Sequence, residues 1–272
     1  MLFRSEDVAR LAKARDLARP GGLGDLNAAI AQASQIPAGN PRYQEAQGEI
    51  RDWNRQIQTI EDQPYLDRAQ AMARGGTIPE LQAAIAQASN ITADRALYRQ
   101  AQQQVSNWRY QIQLQEDQPY LDRAIAFGNA KDYGAAIDAA SQIRRGRALY
   151  PEARSQMKRW RREVEAKRNL EQAYLVAQAN TPEALVSAIS ILRNIPASTE
   201  VKEQSDMALN RWSYQLLSLA NGQANNAAFA EAIKLAKMVP RNSAAYDSAQ
   251  SQIATWQNSL QPAAPPEPSP VQ

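Results

Sequence analysis

Apolar residues recur along the chain in two alternating patterns. In the shorter one, an Ala-Ile pair is flanked by apolar residues four positions before and three positions after the isoleucine, which places them on one helical face. In the longer one, apolar residues follow in steps of three and four up to a tryptophan, a spacing typical of helices that cross at shallow angles. Each isoleucine precedes its tryptophan by 23 residues, so the chain contains five copies of one unit: Ile30 and Trp53, Ile85 and Trp108, Ile137 and Trp160, Ile189 and Trp212, Ile233 and Trp256.

Each copy is predicted to form a hairpin of a short Ala-Ile helix, a turn and a longer Trp helix. The second helix is expected to begin at a capping residue, for which the candidates are Asn40, Thr92, Ser198 and Ser243. One hairpin cannot bury its apolar face alone, so the copies are expected to stack. The sequence therefore predicts an all-α protein, an α-solenoid of five helical-hairpin repeats with a period of about 44–55 residues. It is expected to span residues 1–261, followed by a Pro-rich disordered tail over 262–272.

The segments between one Trp and the next Ala-Ile pair vary from 32 residues (Trp53 to Ile85) to 21 residues (Trp212 to Ile233). In the first two copies they contain Pro64 and Pro119, which either begin a new helix or kink a long one. The third copy has no proline at this place. A continuous helix from Pro151 to about Gln178 is therefore predicted there.

Two resemblances follow from these motifs. Phe127-Gly128, followed by Ala136-Ile137 and Ile143, resembles the paired helices of tetratricopeptide-type solenoids, although their period of about 34 residues is shorter. More specifically, the succession Ala-Ile-x-x-Ala-Ser-x-Ile, Arg-Ala-Leu-Tyr-x-x-Ala and Trp resembles a cyanobacterial helical-repeat family loosely labelled chromosome-segregation-ATPase-like, over residues 5–260. That resemblance implies a helical array and no established activity.

The sequence gives no support to the ATPase half of that label. A phosphate-binding loop of the Walker type ends in Gly-Lys-Ser or Gly-Lys-Thr. None of the glycine clusters Gly21-Gly22, Gly75-Gly76 and Asn221-Gly222 is followed by such a sequence. All three are therefore predicted to be turns between helices.

The amino-acid composition excludes several classes of catalytic and metal site. The chain has no histidine and no cysteine, which excludes Ser-His-Asp and Cys-His nucleophiles, disulfides and an ordinary zinc site. It has no apolar stretch of about 18 residues and no apolar run near Met1 of the kind that a signal peptide contains. The protein is expected to be soluble, either as a whole or as the soluble part of a membrane-anchored protein, and its compartment is not indicated.

Paired carboxylates occur at Glu61-Asp62 and again at Glu116-Asp117. Such pairs can serve acid–base chemistry or bind a divalent cation. Both pairs lie just before the prolines, where acidic residues would favour the positive end of a new helix dipole. A structural role is therefore the favoured interpretation.

The Trp and Tyr residues of the longer helices could form a stacking platform for bases or sugars. Each Trp, however, shares its face with alanine and branched apolar residues at helical spacing. The core is therefore the favoured place for all five tryptophans.

The strongest local bias in charge is a basic segment over residues 144–168. It has ten cations and three glutamates, a net charge of +7 in a chain whose net charge is +3. Such a surface can bind nucleic acid, anionic lipid headgroups or an acidic partner. The alternative is a solvated helix with intrahelical pairs such as Glu163–Lys167. The candidate residues for an anionic partner are Arg144, Arg145, Arg147, Arg154, Lys158, Arg159, Arg161, Arg162, Lys167 and Arg168.

These observations favour a non-enzymatic scaffold or spacer that mediates protein–protein interaction. The alternative function is nucleic-acid or anionic-surface binding through the basic third copy. No catalytic residue, metal ligand, cofactor or small-molecule substrate is predicted, and the identity of the protein partner is open.

Overall fold

A computed structural model describes the backbone of residues 3–260, with side chains from Glu6 onward. All regular structure in this range is helical, without strands, which confirms the predicted all-α class. The predicted tail over 262–272 lies outside the described residues. The α-helices are α1 (Phe3–Ala18), α2 (Leu23–Ala33), α3 (Tyr43–Met72), α4 (Ile78–Ala88), α5 (Tyr98–Asn129), α6 (Tyr133–Ser141), α7 (Tyr150–Ala177), α8 (Pro182–Leu192), α9 (Lys202–Asn225), α10 (Phe229–Ala236) and α11 (Tyr246–Ser259).

The described chain divides into two compact units. The first unit comprises the described part of Met1–Pro119 together with Ile143–Tyr150, and the second comprises Tyr120–Gln142 with the described part of Pro151–Gln272. In the first unit α1 packs on α2, α2 on α3 and α3 on α4. In the second unit α8 packs on α9, α9 on α10 and α10 on α11. Helices that are neighbours in sequence are thus neighbours in space, as in a helical array.

The short Ala-Ile helices are α2, α4, α6, α8 and α10, and the alanine of each pair is fully buried. In α4 the Thr77 hydroxyl and backbone N–H both donate to the Glu80 carboxylate, at 2.7 and 3.0 Å. The pKa of Glu80 is lowered from its ordinary value, chiefly by the hydroxyl bond and then by the backbone bond. This capping box marks the start of α4.

The long helices run through their prolines. Pro64 lies inside α3 and Pro119 inside α5, so neither proline ends a helix. A proline removes one backbone hydrogen bond, but Leu66 and Leu121, each two residues later, are buried and hold both helices against the core. The predicted continuous helix of the third copy is confirmed as α7.

All five tryptophans lie in the core, with exposed fractions from 1% for Trp160 to 8% for Trp256. The sequence also places an apolar residue four positions after each tryptophan, and the prediction that these residues share the buried face is wrong at Val164 and Leu260, which are exposed. Leu260 follows the end of α11. In α7 the buried positions change after Trp160 to the face that carries Ala166, so Val164 falls outside both contact faces.

The predicted capping residues of the longer helices are wrong. Asn40 lies three residues before the start of α3, and its side chain donates to the Asp7 carboxylate while its amide oxygen accepts from the Arg42 N–H. The Thr92 hydroxyl donates to the Asp94 carboxylate at 2.6 Å, six residues before α5. Ser198 and Ser243 likewise precede α9 and α11 by several residues. The connecting segment is therefore longer than a single turn.

One predicted glycine turn is also wrong. Gly21 and Gly76 have φ angles of 78° and 71°, as expected for glycine in a turn. Gly222 instead lies inside α9, and the chain turns five residues later at Ala227, where φ is 59°. Because the residues around Gly222 favour helix, one glycine is not enough to end it.

Gly128 lets α5 approach Trp160 closely. A Cβ atom at Gly128 would lie 2.5 Å from Trp160 Nε1 and 2.6 Å from its Cε2. Trp160 is 1% exposed, so a shift of its ring disturbs the closely packed residues around it. The corresponding residue of the first unit is Ala73, which packs on the core that contains Trp108.

We expect Gly128→Ala to destabilise the protein by about 1–2 kcal/mol, because the overlap exceeds the gain of about 1 kcal/mol in helix propensity. Gly222→Ala is the matched control, since nothing lies within 4 Å of its Cβ position, and it should stabilise the protein. Urea unfolding of both variants measures the difference. Stabilisation by Gly128→Ala would contradict the close contact.

Candidate functional site

The basic residues of α7 form a stripe on one helical face. The stripe begins at Arg154 and continues four, seven and eight residues later with Lys158, Arg161 and Arg162. This spacing aligns the four side chains along about 12 Å of the helix. They are called the basic stripe below. The buried residues Ala153, Met157 and Trp160 occupy the adjoining face of α7, and all four residues of the stripe are exposed.

The stripe has no intramolecular counterions. Within the described part of the chain, no carboxylate lies within 4.0 Å of the charged groups of its four residues. The Glu163–Lys167 pair expected for a solvated helix is also not formed. The Glu163 carboxylate accepts a hydrogen bond from the backbone N–H of Glu200 at 3.0 Å instead. The charge of the stripe is thus left available for an external anion.

The predicted basic set is divided between the two units. Arg144, Arg145 and Arg147 belong to the first unit, and the other seven residues belong to α7 in the second. Arg144 and Arg145 are exposed. Arg147 differs from the rest, because it is bound within the first unit to Asp117 and Glu116.

The Arg147 guanidinium forms a bidentate pair with a buried carboxylate. Its Nε donates to Asp117 Oδ1 and Oδ2 at 3.0 and 2.9 Å, and its Nη2 donates to Asp117 Oδ1 and Glu116 Oε2, both at 2.7 Å. These bonds, with that to Asp117 the largest, raise the pKa of Arg147. Paired acids in the middle of α5 therefore bind an arginine, and the predicted interaction of Glu116-Asp117 with a helix dipole is wrong.

The same arrangement occurs one copy earlier. Arg95 Nε donates to both oxygens of Asp62 at 3.0 Å, and its Nη2 donates to Glu61 Oε2 at 2.8 Å. The hydrogen bonds to Asp62 and then to Glu61 raise the pKa of Arg95. Both arginines follow the isoleucine of their copy by ten residues, and Asn40, bound to the buried Asp7, holds that position in the first copy. Sequence reasoning missed these pairs, although the repeated ten-residue interval indicates them.

A second cationic surface lies in the first unit. A groove of about 700 Å³ runs between α3 and the residues around the start of α5. Sequence reasoning missed it because its two walls are far apart in the chain. It is called the arginine groove below and is lined by Arg51, Asn54, Arg55, Gln58, Ala93, Asp94, Arg95, Ala96, Tyr98 and Arg99.

A smaller cavity of about 330 Å³ in the second unit adjoins Trp160. The Tyr133 hydroxyl donates to Glu200 at 2.8 Å, and Lys131 pairs with the same carboxylate at 2.9 Å. Burial, followed by the bond to Glu200, raises the pKa of Tyr133 to about 12, so the phenol stays protonated at neutral pH. The Trp160 indole N–H has no acceptor among the described residues. Because Tyr133, Lys131 and Glu200 satisfy one another, this cluster has a structural role.

The described residues also bear on other classes of site. Among them, no three or more acidic side chains converge where they could hold a metal ion. No helix in this range combines the length and the apolar character that a membrane span requires. Comparison of the chain with protein families, with curated proteins and with solved structures finds no match.

Proposed function

We propose that the chain is a non-enzymatic α-solenoid of five helical-hairpin repeats that acts as a protein-binding scaffold, with the basic stripe of α7 as its contact for an acidic segment of a partner protein. The observation that carries this proposal is the exposed, uncompensated charge of Arg154, Lys158, Arg161 and Arg162. Solenoids use their extended surfaces for binding in this way. The five copies of the sequence and the sequential packing of helices support the architecture.

An acidic protein segment fits the stripe better than a nucleic acid. Glu165 continues the line of the stripe at the next helical step. A phosphate backbone carries charge at every nucleotide and would meet the Glu165 carboxylate, whereas an acidic peptide places its charges at intervals. The stripe itself also contains no aromatic side chain on which a base could stack. Nucleic-acid or anionic-surface binding is therefore the second candidate.

A charge-reversal experiment tests the proposal. The parent chain for this test carries Arg51, Arg55 and Arg99 of the arginine groove changed to Gln, so that only the stripe is measured. We expect this parent to bind a Glu-rich peptide at low salt, and the further change of Lys158, Arg161 and Arg162 to Glu to weaken that binding at least about tenfold. Fluorescence anisotropy with a labelled peptide measures the affinity, and duplex DNA and phosphatidylserine vesicles are measured in parallel.

The matched control reverses three other exposed arginines, Arg68, Arg74 and Arg123, which leaves the net charge equal to that of the stripe variant. Its affinity for the peptide should stay within about twofold of the parent with the intact stripe. Equal losses in both variants would show that the effect comes from net charge alone and would reject the stripe. Tighter binding of DNA or vesicles than of peptide would favour the second candidate.

A further inference from the structure

The arginine groove has one wall from α3 and one from the start of α5. Arg51, Asn54, Arg55 and Gln58 are spaced by three, four and seven residues and therefore share a face of α3. Arg51 to Gln58 span about 10 Å of helix, which is the length of about three extended residues. The opposite wall, from Ala93 to Arg99, includes the first residues of α5, where the helix dipole favours negative charge.

The charge of this groove is largely unneutralised. Over the described residues, Arg51 and Arg99 have no carboxylate within 4.0 Å. Arg55 has only Asp52, at 3.9 Å and with both side chains largely exposed, and such a pair contributes little. Arg95 is bound to Asp62 and Glu61 behind the groove. Three guanidinium groups are thus left to donate to external carboxylates, which they can bind in a bidentate manner.

The groove also presents acceptors. The Asp94 carboxylate accepts from the Thr92 hydroxyl, and this bond is the main reason that the pKa of Asp94 is lowered. Asp94 is therefore ionised at neutral pH. The Asn54 amide nitrogen donates to the Ile50 carbonyl at 2.9 Å, while its oxygen has no donor within the described residues. A ligand that satisfies this groove needs anions for the arginines and N–H donors for Asp94 and Asn54.

We propose that the arginine groove is a second binding site, for an acidic peptide segment in extended conformation. An extended peptide supplies side-chain carboxylates and backbone N–H donors together, whereas a phosphodiester backbone supplies acceptors only and meets the charge of Asp94 unfavourably. The residues that line the groove are themselves the evidence that its ligand is anionic. The assumption that the ligand comes from a protein partner rests on the proposed function.

Residues of the groove and of the basic stripe occupy equivalent positions relative to the tryptophan of their copies. Arg51 lies two residues before Trp53 and Arg55 two residues after it, just as Lys158 and Arg162 flank Trp160. In the fourth copy the two equivalent residues are Asn210 and Tyr214, which carry no positive charge. The outer face of the Trp helix is thus cationic in one copy of each unit, and each unit is expected to bind one acidic segment.

Isothermal titration of the full chain with a blocked Asp/Glu-rich peptide tests this inference. The wild type should bind two peptides per chain. The groove variant, Arg51, Arg55 and Arg99 to Gln, should bind one, and the stripe variant, Lys158, Arg161 and Arg162 to Glu, should also bind one. Combining both sets should abolish binding, while Arg68, Arg74 and Arg123 to Gln should leave two sites.

The outcomes separate the two proposals. If the wild type binds one peptide and the stripe variant binds none, the groove is not a site and the proposed function stands. If the wild type binds one peptide and only the groove variant loses it, the groove is a site and the role of the stripe is rejected. Tighter binding of a single-stranded oligonucleotide than of peptide by the stripe variant would overturn the assignment of the groove to a peptide.

Discussion

Replacement of Trp108 by alanine is expected to lower the free energy of unfolding by about 3–5 kcal/mol. Trp108 is 5% exposed and packs in a core cluster with residues that include Leu81, Ala84 and Val105. Removing the ring loses the free energy of burying its apolar surface. It also leaves a cavity, because helices that already pack closely through buried alanines cannot move far enough to fill the space. Urea unfolding followed by far-UV circular dichroism measures the change.

Tyr110→Ala is the control for that experiment. Tyr110 lies two residues later on the same helix and is 53% exposed, so its removal should cost less than about 1 kcal/mol. An unchanged unfolding midpoint for Trp108→Ala would contradict the placement of the tryptophans in the core, and would return them to consideration as a ligand-binding surface.

The second large effect is expected for Arg147→Gln, which should destabilise the protein by about 2–3 kcal/mol. The loss of Arg147 leaves Asp117, which is 4% exposed, without its bidentate donor. A buried carboxylate without a partner is costly, although the partial exposure of Arg147 keeps the effect below that of a fully buried pair. Thermal or urea unfolding gives the difference in stability.

Arg145→Gln provides the matched control, because Arg145 is exposed and two residues away in the same segment. It should change stability by less than about 0.5 kcal/mol. Adding Asp117→Asn to Arg147→Gln should recover part of the loss, since the buried charge is then removed. Equal stability of the Arg147 and Arg145 variants would show that the ion pair contributes nothing.

Much of the fold follows from the spacing of apolar residues. The constant interval between isoleucine and tryptophan identifies the helix pairs because, in every copy, the tryptophan and the alanine beside the isoleucine are both buried. The exceptions are local. Gly222 stays helical because its neighbours favour helix, and the chain turns instead at Ala227, which adopts a positive φ that no sequence pattern indicates.

Less of the candidate site than of the fold could be predicted from the sequence. The basic stripe could be predicted because its residues are contiguous on one helix. The sequence shows the charge of Arg147 and therefore groups it with the stripe. It does not show that Arg147 binds Asp117, 30 residues earlier, which neutralises that charge. The arginine groove depends on Arg51 and Arg99, residues of separate helices that only the packing of the chain brings together.

The Asp–Arg pairs also bear on how the chain can be divided into fragments. Asp117 and Arg147 belong to the same unit although 30 residues separate them, and the second unit contributes most of the residues in between. A fragment that ends at Pro119 keeps the buried carboxylate and loses its counterion, whereas one that ends at Tyr150 keeps both. The natural boundary for expressing the first unit is therefore set by an electrostatic partner and not by the end of a hairpin.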